Sequence, residues 1–424
     1  MNYFNQLNQL RDIAPNSVRA GCAAFLAALF LALAAPPPLL AAPSAAPSVS
    51  AGEEGLQPTE MPGCSVDDLR RLSDIVTRTG LDADKIPALY RPQFLSISDA
   101  DLSMDNDEIV FVVHYPGDLV RVYPRRIMVW HEAVNDALPD PTGVLPPPPL
   151  PGEEEKEGAN YTVSYSPLTG SVVAFRSMAG RYPSSFGLSG VLLNGNSVLY
   201  DRISRSLWVQ LMAVCIEGPF RGRRLQRIPV LSARWKGVKQ RYGGLDNRFR
   251  GKVEVLSRST GFKRSYGKDP YGSYERRDTY YDDTRLPFPV SFTDTRLHPK
   301  KRVLGIEVEE AFGAVIKDEV RKDRVVNFTL GNLPMVAFHD RDMDAVRIFE
   351  RTLPDLEEPL RFTVFEDEIV DEMSKSRWSP EGDCGYGRFR DRTLKPVLAV
   401  DSMWFAWASF YRKSRIIPGD EFFE

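Results

Sequence analysis

His131-Glu132, with Asn135 and Asp136 close behind, is the cluster in this chain whose residue types could move a proton or hold an ion. Imidazole changes charge nearer neutral pH than any other side chain and is the commonest metal ligand. On a helix, residues four apart share a face, which would bring His131 and Asn135 together. Two chemistries follow: His131 as a base, or His131 with an acid and a second histidine around a single metal ion. The chain holds four histidines, His114, His131, His298 and His339, so a three-histidine centre would take nearly all of them. The structural alternative is a buried histidine bonded to a carbonyl, with Asn135 capping a turn. No Gly-x-Ser-x-Gly, phosphate loop or dinucleotide fingerprint occurs. Ser189, in Gly187-Leu188-Ser189-Gly190, lacks the glycine placement of a nucleophile elbow.

A second constellation occurs twice. Tyr200-Asp201-Arg202-Ile203-Ser204-Arg205-Ser206-Leu207-Trp208 is echoed by Val370-Asp371-Glu372-Met373-Ser374-Lys375-Ser376-Arg377-Trp378, with Asp, Ser, Ser and Trp at equal offsets. Asp201 and Asp371 can accept amide hydrogen bonds from residues just downstream, and the tryptophans then fall on the next strand. That describes a hairpin clasp, although a carboxylate so placed could also serve a binding site. Around it, Val173-Ala174-Phe175 is matched with Val336-Ala337-Phe338, Gly218 with Gly387, and Trp235 with Trp404. The stretch from Val120 to Asn135 likewise resembles that from Gly313 to Asn327. Ordered matches over so long a span read as one module present twice. His131 is peculiar to the first copy, because the second offers Asp323-Arg324. Cys215 and Cys384 lie three residues before Gly218 and Gly387; in an oxidising compartment they could pair, or each could be a small buried side chain.

The start of the chain bears on that compartment. A polar leader with Arg11 and Arg19, an apolar run from Gly21 to Ala35 and a Pro/Ala/Ser stretch to Ala51 describe a secretory signal or an uncleaved anchor. The expectation is an exported, periplasmic protein that touches membrane only through that segment, if it is retained. A net charge of −3 argues against nucleic acid as a partner and leaves an envelope ligand or protein. Locally, 219–252 carries eleven Lys/Arg against Asp246, and 351–372 carries eight acids against Arg351 and Arg361. These are either solvated faces or complementary patches.

The elements that must position these residues are mostly strands. Residues 52–107 form an N-terminal segment whose helix starts at Ser65, carries Leu69, Leu72 and Ile75, and ends near Gly80. From 108 the chain turns to short Val-, Phe- and Tyr-rich runs punctuated by Gly, Pro and Asp, the pattern of strands. The fold class expected is α+β, predominantly β: two tandem related β-rich modules with minor helices. The first spans 108–235, with an exposed Pro/acidic loop at 139–158. A connector, 236–302, holds Tyr271 in Asp269-Pro270-Tyr271-Gly272, followed by Tyr280 and Tyr281: an aromatic cleft, or a turn packed on a sheet edge. The second module spans 303–424 and ends on an expected strand, Trp404–Phe410.

With these residues in view, the chain resembles the bacterial family called domain of unknown function 3179. The stretches that carry the resemblance include the run from Met128 to Asp136, Phe186 to Gly190, Ser206-Leu207-Trp208, Gly218-Pro219, Asp269 to Gly272 and Trp404 to Trp407. The resemblance implies an exported protein with no established activity. Similar proteins read Tyr-Cys-Pro-x-Cys-Gly where this chain has Tyr165-Ser166-Pro167-Leu168-Thr169-Gly170. Hydroxyls can neither form a disulfide nor replace thiolates on a soft metal. The reading that follows is a binding or scaffold protein with a cleft near His131, Glu132, Asn135, Ser166, Thr169, Asp201 and Tyr271. The alternative is a metal-dependent or redox envelope enzyme that uses His131.

Overall fold

The computed structural model describes residues 71–115, 118–138, 160–244, 251–272 and 279–419. The expected leader and the Pro/acidic loop lie outside the described residues. The chain is predominantly β, with short helices between many strands.

One order of elements is met twice. In the first half, strands Ile109–His114 and Val120–Pro124 form an antiparallel hairpin. Leu231–Arg234 adds antiparallel on one edge, and Val253–Leu256 adds parallel on the other. In the second half, Arg302–Val308 and Ala311–Ile316 pair in the same sense, flanked by Ala399–Met403 and, in parallel, by Arg415–Ile417. A short helix leaves each hairpin, Arg125–His131 or Lys317–Asp323. A three-strand meander follows: Ala133–Ala137, Asn160–Ser166 and Ser171–Arg176, or Val325–Leu330, Leu333–Asp340 and Ala345–Glu350. Next comes a small antiparallel sheet bearing the Asp-x-x-Ser-x-Ser-x-Trp element.

The halves interlock. The edge strand Ala399–Met403 pairs with the first meander at Val172, which merges the two into a nine-stranded sheet. The Met403 amide donates to the Thr169 carbonyl and the Arg234 amide to the Met343 carbonyl, both at 2.8 Å, so each half lends its edge to the other's meander. The apolar clusters follow this arrangement. Val110, Val112, Val122 and Trp235 pack with Met343 and Ala345, while Leu304, Ile306, Phe328 and Ile348 form a second cluster. Phe338, Phe362 and Trp378 anchor a third.

Several expectations change. Trp404–Phe410 is a helix, and the strand is the preceding Ala399–Met403. Because Trp404 to Ser409 are all buried, no polar face exists to reveal the helical period. The helix at Arg125–His131 stops at Glu132, which adopts a left-handed φ of 57°, so Asn135 lies on the following strand and not on a shared helical face. Phe175 lies on the third strand of its meander and Phe338 on the second, so those two triplets are not counterparts. The N-terminal helix has ended by Asp74, and Thr77–Arg78 pairs as a strand with Val191 and Leu192. The expected connector contains the helix Trp235–Tyr242 and the strand Val253–Leu256, which complete the first hairpin sheet.

Candidate functional site

His131 is fully buried at the end of its helix. Its Nδ1 lies 2.7 Å from the Pro87 carbonyl and must carry the proton there, so Nε2 accepts from the Tyr266 hydroxyl, also at 2.7 Å. Burial holds the imidazole down to a pKa of about 4, which keeps it neutral. With both nitrogens engaged, His131 has no lone pair left for a metal. Among the described residues no cluster of three His, Cys, Asp or Glu could hold one. The expected ligand or base is a structural histidine.

Glu132 turns the other way, into a chain of buried hydroxyls. Its carboxylate accepts from Ser197 Oγ at 2.7 Å, and Ser197 lies 3.1 Å from Ser166 Oγ. Thr169 Oγ1 meets Ser171 Oγ at 2.8 Å and accepts from Asn196 Nδ2 at 2.9 Å; Ser171 in turn donates to Gln210 at 2.7 Å. Ser166 and Thr169 are therefore sealed inside the protein and do not line a cleft. Burial pushes the Glu132 carboxyl up to about 7, against the opposing effect of the one hydroxyl donor, Ser197.

Asn135 fastens the meander to the clasp sheet: its amide donates to the Phe186 carbonyl at 2.9 Å and its oxygen accepts the Phe186 amide at 2.7 Å. Asn327 makes the same reciprocal pair with Phe362, at 2.7 and 2.9 Å. Asp201 accepts the Ser204 amide at 2.6 Å and the Trp208 indole N–H at 3.0 Å. Asp371 accepts from Ser374 and Trp378 at 2.6 and 3.2 Å. Gly218 and Gly387 cross these clasps with φ near 103° and 105°, where a Cβ would come within 2.6 Å of Ser206 or Ser376. Both carboxylates are thus structural. Tyr271 is buried edge-on to Tyr280, the packed-turn outcome and not a cleft wall. Cys215 and Cys384 are free, each thiol donating to a carbonyl two residues on (Glu217 and Tyr386). Of the two readings, a disulfide or two small buried side chains, the structure has the second, with ionisation of both thiols suppressed by burial.

The open site lies elsewhere. A groove of about 1220 Å³ runs between the first hairpin sheet and the second meander. Val112 and Leu231 from the first half and Leu304, Val346, Ile348, Val397 and Ala399 from the second make an apolar floor; Trp378 and the exposed Tyr386 stand on one wall. The rim is charged but balanced: Arg241 pairs with Glu381 at 3.0 Å, Arg347 with Asp340 at 2.9 Å, Arg324 with Asp367 at 2.6 Å and Arg377 with Glu368 at 2.8 Å. His114 Nε2 meets the Tyr242 hydroxyl at 2.9 Å beside the floor.

Register identifies what occupies the matching place at the other junction of the halves. Arg227 pairs with Phe175 as Pro396 pairs with Phe349, and Arg224 bridges Val214 as Thr393 bridges Asp383. There Arg224 and Arg227 bond Glu307 at 2.7 and 2.8 Å, and the Tyr411 hydroxyl donates to the same carboxylate at 2.7 Å. That bonded cluster fills its junction, whereas Thr393 and Pro396 are too short to do so. Sequence reasoning missed the groove because its floor is made of ordinary core residue types from distant segments. The loss of two arginines between the echoed stretches was the available signal.

The family model described as "Protein of unknown function (DUF3179)" matches residues 83–150 and 153–414, and the chain belongs to that family. No curated protein and no solved structure matches the chain.

Proposed function

We propose that this member of the DUF3179 family is an exported ligand-binding protein that arose by tandem duplication, with one junction between its halves open for the ligand and the other sealed. The repeated order of elements, the matched clasps and the reciprocal edge strands support the duplication. The leader supports export. The observation that carries the binding reading is the groove itself: large, apolar-floored and rimmed by ion pairs, where the corresponding junction is closed by Arg224, Arg227, Glu307 and Tyr411. Pockets of small molecules are of this kind, mostly apolar with a few convergent polar groups. The ligand that fits has an apolar body and polar ends that bond the charged rim and the His114–Tyr242 pair. Its body stabilises the complex by roughly 25 cal/mol per Å² of apolar surface covered.

The test uses the full chain and the fluorescent probe 1-anilinonaphthalene-8-sulfonate, which has an apolar body and a charged end. Saturable binding at one site is expected. Val397→Trp or Ala399→Trp, each placing an indole on the floor, should weaken it at least ~10-fold, or about 1.4 kcal/mol. Undiminished probe binding in both folded variants would refute the groove as the site.

A further inference from the structure

A second cavity, of about 460 Å³, lies where the two short helices start, with Arg125 on one side and Lys317 on the other. Its wall is cationic. Two of the three carboxylates that line it are already shared, Asp344 between Arg234 and Arg321 and Asp318 between Lys301 and Arg321, and the buried Asp401 behind the wall bonds Arg302 and Lys317. Lys300 differs from these. It is 4% exposed, and its ammonium bonds the carbonyls of Tyr280 and Arg285 and sits 3.7 Å over the Tyr280 ring. Among the described residues no carboxylate is within ion-pair distance of it, although Asp282 also lines the cavity.

Asp283 and Asp282 attract this ammonium only from beyond ion-pair distance, and its direct partners are two carbonyls; a buried ammonium so placed is costly, and a contact anion offsets that cost. Burial pulls the Lys300 amine down to a pKa of about 8, which is the same cost expressed as acidity. We propose that this cavity binds a small organic dianion, a phosphate ester or a compact polycarboxylate, with Lys300 as its buried charge contact and Lys301 as a second cation at the rim. The apolar side of the cavity, Ile109, Phe111 and Tyr281, would take the ligand's uncharged part. This proposal is independent of the groove, which is lined by other residues.

Titration calorimetry on the full chain in low-salt buffer at pH 7, with inorganic phosphate, phenyl phosphate and citrate in turn, tests it. One-to-one binding of at least one of them is expected, and which one distinguishes phosphate from carboxylate recognition. Lys300→Met, where circular dichroism shows it folded, should weaken that binding at least ~10-fold. Lys301 is partly exposed, so Lys301→Glu keeps the fold and should weaken binding as much while leaving probe binding in the groove unchanged. No one-to-one binding at millimolar anion, or equal binding in Lys301→Glu and wild type, overturns the proposal.

Discussion

Replacing Glu132 with Gln should change the pH dependence of stability in a way that also exposes its neighbour. The carboxyl is buried, and its pKa stands at about 7 against an ordinary 4.5. Below pH 4.5 the folded and unfolded chains both carry the proton. Between 4.5 and 7 the unfolded carboxyl ionises while the folded one holds its proton, so stability falls with rising pH and levels off above 7. At 1.36 kcal/mol per unit, the loss comes to about 3 kcal/mol. His131 works in the opposite sense. Its folded pKa is about 4 against an ordinary 6.5, so between those values the unfolded state binds the extra proton and stability rises with pH by about 3 kcal/mol. From roughly pH 4.5 to 6.5 the two adjacent residues cancel. Glutamine keeps the shape and still accepts from Ser197, but it cannot titrate. Urea unfolding of wild type and Glu132→Gln at half-unit pH steps isolates the carboxyl, since every other group drops out of the difference. The stability of the variant relative to wild type should climb by about 3 kcal/mol from pH 4.5 to 7.5. A difference that stays flat within about 1 kcal/mol, or that declines, would show that the carboxyl is not held protonated in the fold.

Asp201→Asn and Asp371→Asn each turn an N–H toward donors that the carboxylate accepts; each should cost about 1–3 kcal/mol in denaturant unfolding, with similar values in the two clasps. Trp208→Ala and Trp378→Ala empty buried indole sites and should cost about 3–5 kcal/mol apiece; unchanged midpoints in both would contradict their role as anchors. Alkylation in denaturant without reductant should label both Cys215 and Cys384, as mapped by mass spectrometry, and a peptide pair linked by a disulfide would contradict the free thiols.

What could be read from the sequence was what depends on side-chain chemistry at fixed offsets. The two clasps were legible because Asp, Ser and Trp form them by local hydrogen bonds within eight residues. Apolar texture carried less. Val-Ala-Phe fits any buried strand, so Phe175 and Phe338 matched by composition and not by position. Trp404–Phe410 read as a strand because a helix buried all round shows no stripe. His131 looked functional for the reason that makes a buried imidazole useful structurally: it can donate with one nitrogen and accept with the other. No local signal could have sealed Ser166 and Thr169, because their partners Ser197 and Asn196 arrive from the clasp sheet.

Under the proposed duplication, the paired junctions explain how asymmetry develops without loss of fold. Each half supplies the edge strand that finishes the other's meander, so the backbone bonds at Thr169–Met403 and Arg234–Met343 must persist in both. Side chains at the junctions are under no such constraint. Glu108 pairs with Arg126 at 2.7 Å, and the positions corresponding to them carry Lys301 and Asp318 at 2.8 Å, the same ion pair with its charges reversed. If the halves share an ancestor, as proposed, such a reversal required both partners to change while the backbone stayed. The step from Arg224, Arg227 and Glu307 to Thr393, Pro396 and His114 is of the same kind, with a larger consequence. Two guanidinium groups and the carboxylate that neutralises them go together, leaving no buried charge unpaired and an apolar floor uncovered. Under the proposed duplication, binding then needs no catalytic motif. It needs one junction whose charged filling has been withdrawn as a unit, which is why the chain's most reactive-looking residues lie in its sealed interior and its open groove is lined by unremarkable ones.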